Sequence, residues 1–352
     1  ILLFLLTVSP LYAQSDRVPY HQFTSYEGLQ NQSVTALAQT EDERLWIGTG
    51  TGLSVFDGHT FRSISLPETI GTVYVSDIQP ADSNAVWVAA SVGDVVRVRD
   101  GRVEEEVELG DELVQRILPG PDTTRFITRT AIWTWTSGDN TATRQPYAYP
   151  IQTPLDASVY EAEASDQGAG VFNADVHPNG ETWVIDGRHG PGVLQPDGSV
   201  DFVDGGPRGR PGAFWYTLHI AENGRVFALH DEAVYWIDST TKRVDENPVT
   251  TDLGDPTYLA VQGNDVYATR DRRIERYDAG TLRLQDALGA EHGLPDLLMA
   301  RVFRDARSGL WVGTPEGLLY LRAPHVRHKS TVASPVAGTA AGGTSIQNVM
   351  DF

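Results

Sequence analysis

A 352-residue chain with 27 Lys+Arg against 47 Asp+Glu carries a formal charge of −20, which excludes nucleic-acid or anionic-membrane partners that need a basic patch. Cysteine is absent, so disulfides and thiolate metal centres are unavailable and stability has to come from packing. Lysine stands only at Lys242 and Lys329; such an acidic, lysine-poor surface suits a high-salt habitat and equally suits ordinary solubility.

The opening run Ile1 to Val8 is apolar and breaks at Pro10, and Leu11-Tyr12-Ala13 then offers a small residue before polar Gln14. That is the h-region and cleavage site of a secretory signal, too short to span a bilayer. Residues 1–13 are therefore expected to be a signal-peptide remnant, and the protein to be periplasmic or extracellular. The next segment, Tyr20 to Ser25, reads as a strand without a partner of its own. A complete four-strand unit follows: Ser33 to Gln39, Leu45 to Thr49, Leu53 to Phe56 and His59 to Ile64. Asp57-Gly58 is expected to form a tight type I′ hairpin, with both central residues at positive φ. The Asp-Gly pair returns at Asp100-Gly101 and Asp197-Gly198, and more loosely at Asp278-Ala279-Gly280.

The unit repeats. Aromatic anchors stand at Trp46, Trp87, Phe126, Trp183, Phe227, Tyr267 and Trp311, spaced about 41, 39, 57, 44, 40 and 44 residues apart, close to the period of a four-stranded propeller blade. Each unit is too small to bury its own apolar strands, so copies must stack on neighbours. Second strands such as Ala85 to Ala89 are apolar on consecutive residues, as expected when both faces are covered. Gly48 and Gly313 would let another backbone approach closely. The last unit (Met299 to Arg304, Leu310 to Thr314, Leu318 to Leu321) lacks an outer strand, and Tyr20 to Ser25 can supply it. The expectation is an all-β, seven-bladed β-propeller of four-stranded antiparallel blades over residues 14–324, closed by that N-terminal outer strand. The long third interval, about Thr136 to Gly170, holds Tyr147, Tyr149 and Tyr160; a functional loop and a variable surface excursion both fit it. Residues 325–352 read as a linker followed, at Ser345 to Phe352, by the opening of a further repeat or domain.

The phrase Tyr26-Glu27-Gly28-Leu29-Gln30-Asn31-Gln32-Ser33-Val34, with Leu45 to Thr49 and Gly52 to Gly58, resembles the two-component regulator propeller repeat. Gly293-Leu294-Pro295 with Leu310 to Leu319 is a second match; the middle copies agree mainly in hydrophobic outline. The resemblance implies the periplasmic sensor region of a histidine kinase, including hybrid two-component systems. In that family two seven-bladed propellers often precede a small β-sandwich and one membrane span. No phosphoacceptor helix, nucleotide lid or receiver domain is present, so any kinase activity belongs to sequence beyond this fragment. Membrane tethering and a possible homodimer are likewise expected only of the full-length protein.

Chemistry is sparse. Gly48-Thr49-Gly50-Thr51-Gly52 leads into a strand, not the helix a phosphate loop requires. His177, His189, His219, His230 and His292 form no compact metal motif, no Gly-x-Ser-x-Gly elbow occurs, and no catalytic dyad stands out among the many carboxylates. No metal or cofactor is expected. In a propeller the loops between second and third strands and those between blades emerge on one face. That face collects Arg188, His189, Arg208, Arg210, Trp215, Tyr216 and the run Arg270-Asp271-Arg272-Arg273. Arginines beside aromatics suit an anionic or glycan-type small molecule, or a protein partner. The leading expectation is a non-catalytic sensing or interaction propeller. The alternatives are a secreted propeller enzyme, a lyase or glycan-active hydrolase, and an interaction scaffold.

Overall fold

The computed structural model describes residues 17–67, 74–90, 93–139, 141–148, 170–207, 214–231, 233–249, 256–270, 272–295, 297 and 301–322. Residues 1–13, expected as a signal remnant, residues 325–352, expected as a linker and the opening of a further repeat, and Tyr149, Tyr160, Met299 and Arg208 lie outside them. Within them are seven four-stranded antiparallel sheets. Blade 1 runs Val34–Gln39, Leu45–Thr49, Gly52–Phe56 and Phe61–Ile64 from axis to rim. The inner strands of blades 2 to 7 are Val75–Pro80, Val114–Leu118, Val171–Val176, Trp215–Ile220, Pro256–Gln262 and Arg301–Arg304. Each inner strand touches the next, and the seventh touches the first, so the ring is closed. Tyr20–Phe23 supplies the outer strand of blade 7, pairing from Tyr20↔Leu321 to Phe23↔Leu318. This covers an edge that would otherwise be open to another chain.

The core is divided among the seven seams between blades, one apolar cluster in each. Successive residues of a strand face opposite seams, and therefore every residue of Leu45–Thr49, Ala85–Ala90 and Leu310–Thr314 is buried. All seven aromatic anchors are at most 5 % exposed, which places them in packing and not on a surface. Six share one register, pairing with the fifth residue of the inner strand or its equivalent: Trp46↔Ala38, Trp87↔Gln79, Trp183↔Asp175, Phe227↔His219, Tyr267↔Ala260 and Trp311↔Phe303. Each of the six fills the seam toward the following blade.

Phe126 does not keep this register. It pairs with Ile117, one residue out of step, and a one-residue shift turns a side chain to the opposite face. Its ring therefore meets Trp87 in the seam between blades 2 and 3, at 5.6 Å between centroids. The register-equivalent of the other anchors is Arg125, which donates to Thr182 Oγ1 of blade 4 at 2.8 Å. The seam between blades 3 and 4 thus has no aromatic anchor.

Two further expectations change. What approaches Gly48 and Gly313 is a side chain of the next blade and not its backbone. A Cβ would lie 2.6 Å from Val75 Cγ1 at Gly48 and 2.4 Å from Val34 Cγ1 at Gly313. Gly48→Ala should therefore lose about 1–3 kcal/mol by overpacking the seam, read as a lower denaturant midpoint. Of the expected Asp-Gly turns among the described residues, Asp100-Gly101 alone is a two-residue turn with both residues at positive φ (49° and 78°), joining Arg99↔Arg102. At Asp57-Gly58 only the glycine is positive and the loop spans four residues. The Asp57 carboxylate accepts from the backbone of His59 and Thr60 at 2.9 and 2.8 Å, so an Asx turn replaces the type I′ geometry.

Candidate functional site

The second strand of every blade ends on the face where the inter-blade connections also arrive. The repeat shows what a purely structural blade does there. Thr49, Thr128 and Thr314 close the second strands of blades 1, 3 and 7; the Thr49 and Thr314 hydroxyls donate to the Gly52 and Gly317 carbonyls at 2.9 and 3.0 Å, and that of Thr128 accepts from Ala131 N at 3.1 Å. In blades 4, 5 and 6 the same position is Asp186, His230 and Arg270. Three neighbouring blades thus exchange a loop-closing hydroxyl for a titratable group. This is the signal that sequence reading missed, since it emerges only after the strands are aligned by register.

Around Asp186 the chain folds into a tight loop. One carboxylate oxygen accepts from the backbone of Arg188 and His189 and meets His189 Nδ1, all at 2.9 Å; the other accepts from Gly170 N at 3.1 Å. Burial by itself raises the Asp186 carboxyl, but the His189 side-chain and backbone bonds outweigh it and hold it below the usual carboxylate range. The anchored His189 ring stacks on Phe202 and its side chain stays 53 % exposed. Arg188 is exposed beside it.

Trp215 is only 5 % exposed, and its ring lies against His230 and Tyr235. Its backbone N–H donates to the Gly187 carbonyl at 3.0 Å, tying blade 5 to the Asp186 loop. The expected stacking surface is therefore a floor beneath the face. Tyr216, the next residue, faces the other way: it is 45 % exposed and its hydroxyl donates to the Asp231 carboxylate. Arg272 is exposed at positive φ in the hairpin joining Arg270↔Arg273 of blade 6. Arg188 and His189 thus share the loop after the second strand of blade 4, Tyr216 stands at the start of the inner strand of blade 5, and Arg272 lies in the corresponding loop of blade 6. Glu112, which sequence reading passed over, adds a carboxylate to the same face. Burial raises it, but the Thr128 and Thr130 hydroxyls and Arg144 Nε, the last at 2.8 Å, hold it low. Among the described residues no group of three or more His, Asp or Glu is arranged to hold a metal ion, and no helix is long and apolar enough to cross a membrane.

The family described as two-component regulator propeller matches residues 28–51. Over 62 residues the chain is 39 % identical to histidine kinase P4 of Formosa agariphila, a stretch covering 18 % of this chain and 4 % of that protein. Among solved structures, the extracellular domain described for the hybrid two-component system BT4673 of B. thetaiotaomicron aligns with a TM-score of 0.66 at 15 % identity, over 86 % of this chain and 40 % of that one. Virginiamycin B lyase from Staphylococcus aureus aligns with a TM-score of 0.67 at 12 % identity, over 87 % of this chain and 99 % of the lyase. At such identities the structural likenesses speak for the fold alone. The chain spans well under half of the sensor domains and a small fraction of the kinase it matches. It carries the two-component regulator propeller repeat, set in a seven-bladed ring of the kind found in extracellular domains of hybrid two-component sensors.

Proposed function

We propose that this propeller is the extracytoplasmic ligand-sensing or interaction part of a two-component sensor and is itself non-catalytic. The observation that carries the reading is the run of exchanged positions on blades 4 to 6, where a repeat match and a sensor-like ring coincide with a face built from Asp186, His189, Arg188, Tyr216 and Arg272. Arginine forks and a hydrogen-bonding imidazole suit an acidic small molecule or glycan, with Trp215 holding the floor rigid. The ring would sit in the periplasm or outside the cell, tethered through downstream sequence. Ligand engagement would then shift its packing against the following domains and bias a dimer.

The likeness to a lyase along nearly that enzyme's whole length favours a second reading, a secreted propeller enzyme. Titration of the purified chain with a panel of acidic and neutral oligosaccharides separates the two. Sensing predicts saturable binding without turnover, weakened at least tenfold in an Arg188→Ala/Arg272→Ala double variant whose melting temperature is unchanged. Product formation from any panel member would overturn the non-catalytic reading, and wild-type affinity in the double variant would remove this face.

A further inference from the structure

The seven inner strands enclose the axis, and their alternation is regular. The fourth residue of each, or its register equivalent, is apolar and packs into a seam: Leu37, Ile78, Ile117, Ala174, Leu218, Leu259 and Val302. The third residues form a different ring: Ala36, Asp77, Arg116, Asn173, Thr217, Tyr258 and Arg301. Fields cross the axis at this level, since Tyr258 of blade 6 feels the charges of Arg301 in blade 7, Arg116 in blade 3 and Asp77 in blade 2. Arg116 keeps 21 % of its side-chain surface exposed, so solvent reaches the interior here.

Around this ring, inner strands are stapled one to the next. Thr35 Oγ1 donates to Val75 O at 2.7 Å, Asp77 accepts from Ile117 N at 2.8 Å, and Asp175 accepts from Ile220 N at 3.0 Å. His219 bonds to the Leu259 backbone, Gln262 accepts from Arg304 N at 2.5 Å, and Arg301 Nε donates to Thr35 O at 3.2 Å. Among the described residues the junction of blades 3 and 4 has no such staple. There Arg116 Nε and Asn173 Oδ1, register-equivalent neighbours, are both buried without a hydrogen-bond partner. A buried donor and a buried acceptor left open at one junction cost too much to stay empty.

The charges are also incomplete. Arg116 meets Asp77 only at 3.4 Å, and that carboxylate is already engaged by Ile117 N and Gln79 Nε2. Arg301 lies over the Tyr258 ring at 4.7 Å and pairs with no carboxylate among the described residues. Burial, and then the charge of Arg116, lowers His219 to about 4, so it is neutral near pH 7 and offers no counter-charge of either sign. A water could join Arg116 to Asn173, but it would supply no negative charge to Arg301, and the further acid of this region, Asp175, is engaged by Ile220 N at 3.0 Å and Val176 N at 2.8 Å.

We infer that the axial ring is a binding site for a small carboxylate flanked by a hydroxyl. The carboxylate lies between Arg116 and Arg301, the hydroxyl donates to Asn173 Oδ1, and Tyr258 forms the apolar wall. The site lies below the face proposed above and rests on that reading only for its biological role, not for binding. Titration calorimetry on the whole chain, at constant ionic strength, uses acetate, lactate, glucuronate and glycerol. Lactate separates a free hydroxy acid from the sugar acid glucuronate, and glycerol is the neutral control. Expected is binding of at least one hydroxy carboxylate, tighter than acetate and with no glycerol response. Arg301→Gln should weaken it at least tenfold while Arg188→Ala/Arg272→Ala leaves it unchanged, so failure of either site is told apart. Asn173→Asp, which gives Arg116 an internal carboxylate, should abolish binding and raise the melting temperature, and it decides the matter should Arg301→Gln fail to fold. No carboxylate binding to the wild-type chain, or undiminished binding in Asn173→Asp, overturns the site.

Discussion

Trp46→Ala is expected to lower the unfolding free energy by about 3–5 kcal/mol, the largest single-residue effect in the ring. The indole is fully buried in the seam of blades 1 and 2, among Ala38, Leu53, Val75 and Val86, and its Nε1 donates to Thr40 Oγ1 at 3.1 Å. Truncation removes the ring's contacts on both blades at once and leaves buried Thr40 short of one partner. Backbone ladders on either side hold the blades apart, so the cavity cannot collapse. Phe126→Ala tests the register argument alongside it. Its damage should fall on the blade 2–3 seam, quenching or shifting Trp87 fluorescence, because the two rings touch. A Trp46→Ala protein with wild-type denaturant midpoint would refute the seam-packed core.

Removing the chain through Phe23 is expected to be worse, because it opens the ring. Leu318, Leu319 and Leu321 are fully buried under or beside Tyr20–Phe23, and Phe23 packs on Phe56, Phe61 and Trp311 at centroid distances of 5.5, 5.2 and 5.8 Å. Phe23→Ala alone should cost about 2–4 kcal/mol. The full deletion also leaves a row of unpaired backbone groups along Gly317–Leu321, an invitation to pair with another copy. The expected result is a concentration-dependent oligomer by light scattering, reverted to monomer by adding a peptide of residues 17–25. A truncated protein that stays monomeric, with unchanged melting, would show that blade 7 does not need its N-terminal strand.

Much of the scaffold was legible because its physics is local and repeated. Consecutive apolar residues at Ala85 to Ala90 and Leu310 to Thr314 announce strands covered on both faces, and an orphan strand at Tyr20 matched a missing strand after Leu321. The misreadings have equally local causes. Phe126 has an aromatic neighbour pattern like the other anchors, yet one residue of register decides which seam it fills. Asp57-Gly58 and Asp100-Gly101 share a dipeptide but differ in loop length, which is fixed by where strand pairing resumes.

The candidate site was legible only in part. Arg188, His189, Tyr216 and Arg272 could be assigned to one face by counting loops, but Trp215 could not be told from an exposed aromatic. Its burial depends on His230 and Tyr235, fifteen and twenty residues on. The titratable run Asp186, His230 and Arg270 has no spacing that marks it. It becomes visible against Thr49, Thr128 and Thr314 once ladders align the blades.

The sequence by itself determined a ring of seven blades and its closure, since period, strand composition and the unpaired N-terminal strand follow from short-range burial. Tertiary structure alone decided which residues meet at the axis and on the face. Arg116, Asn173, Tyr258 and Arg301 are separated by 43 to 185 positions in the chain, and only the radial placing of blades puts them around one axis.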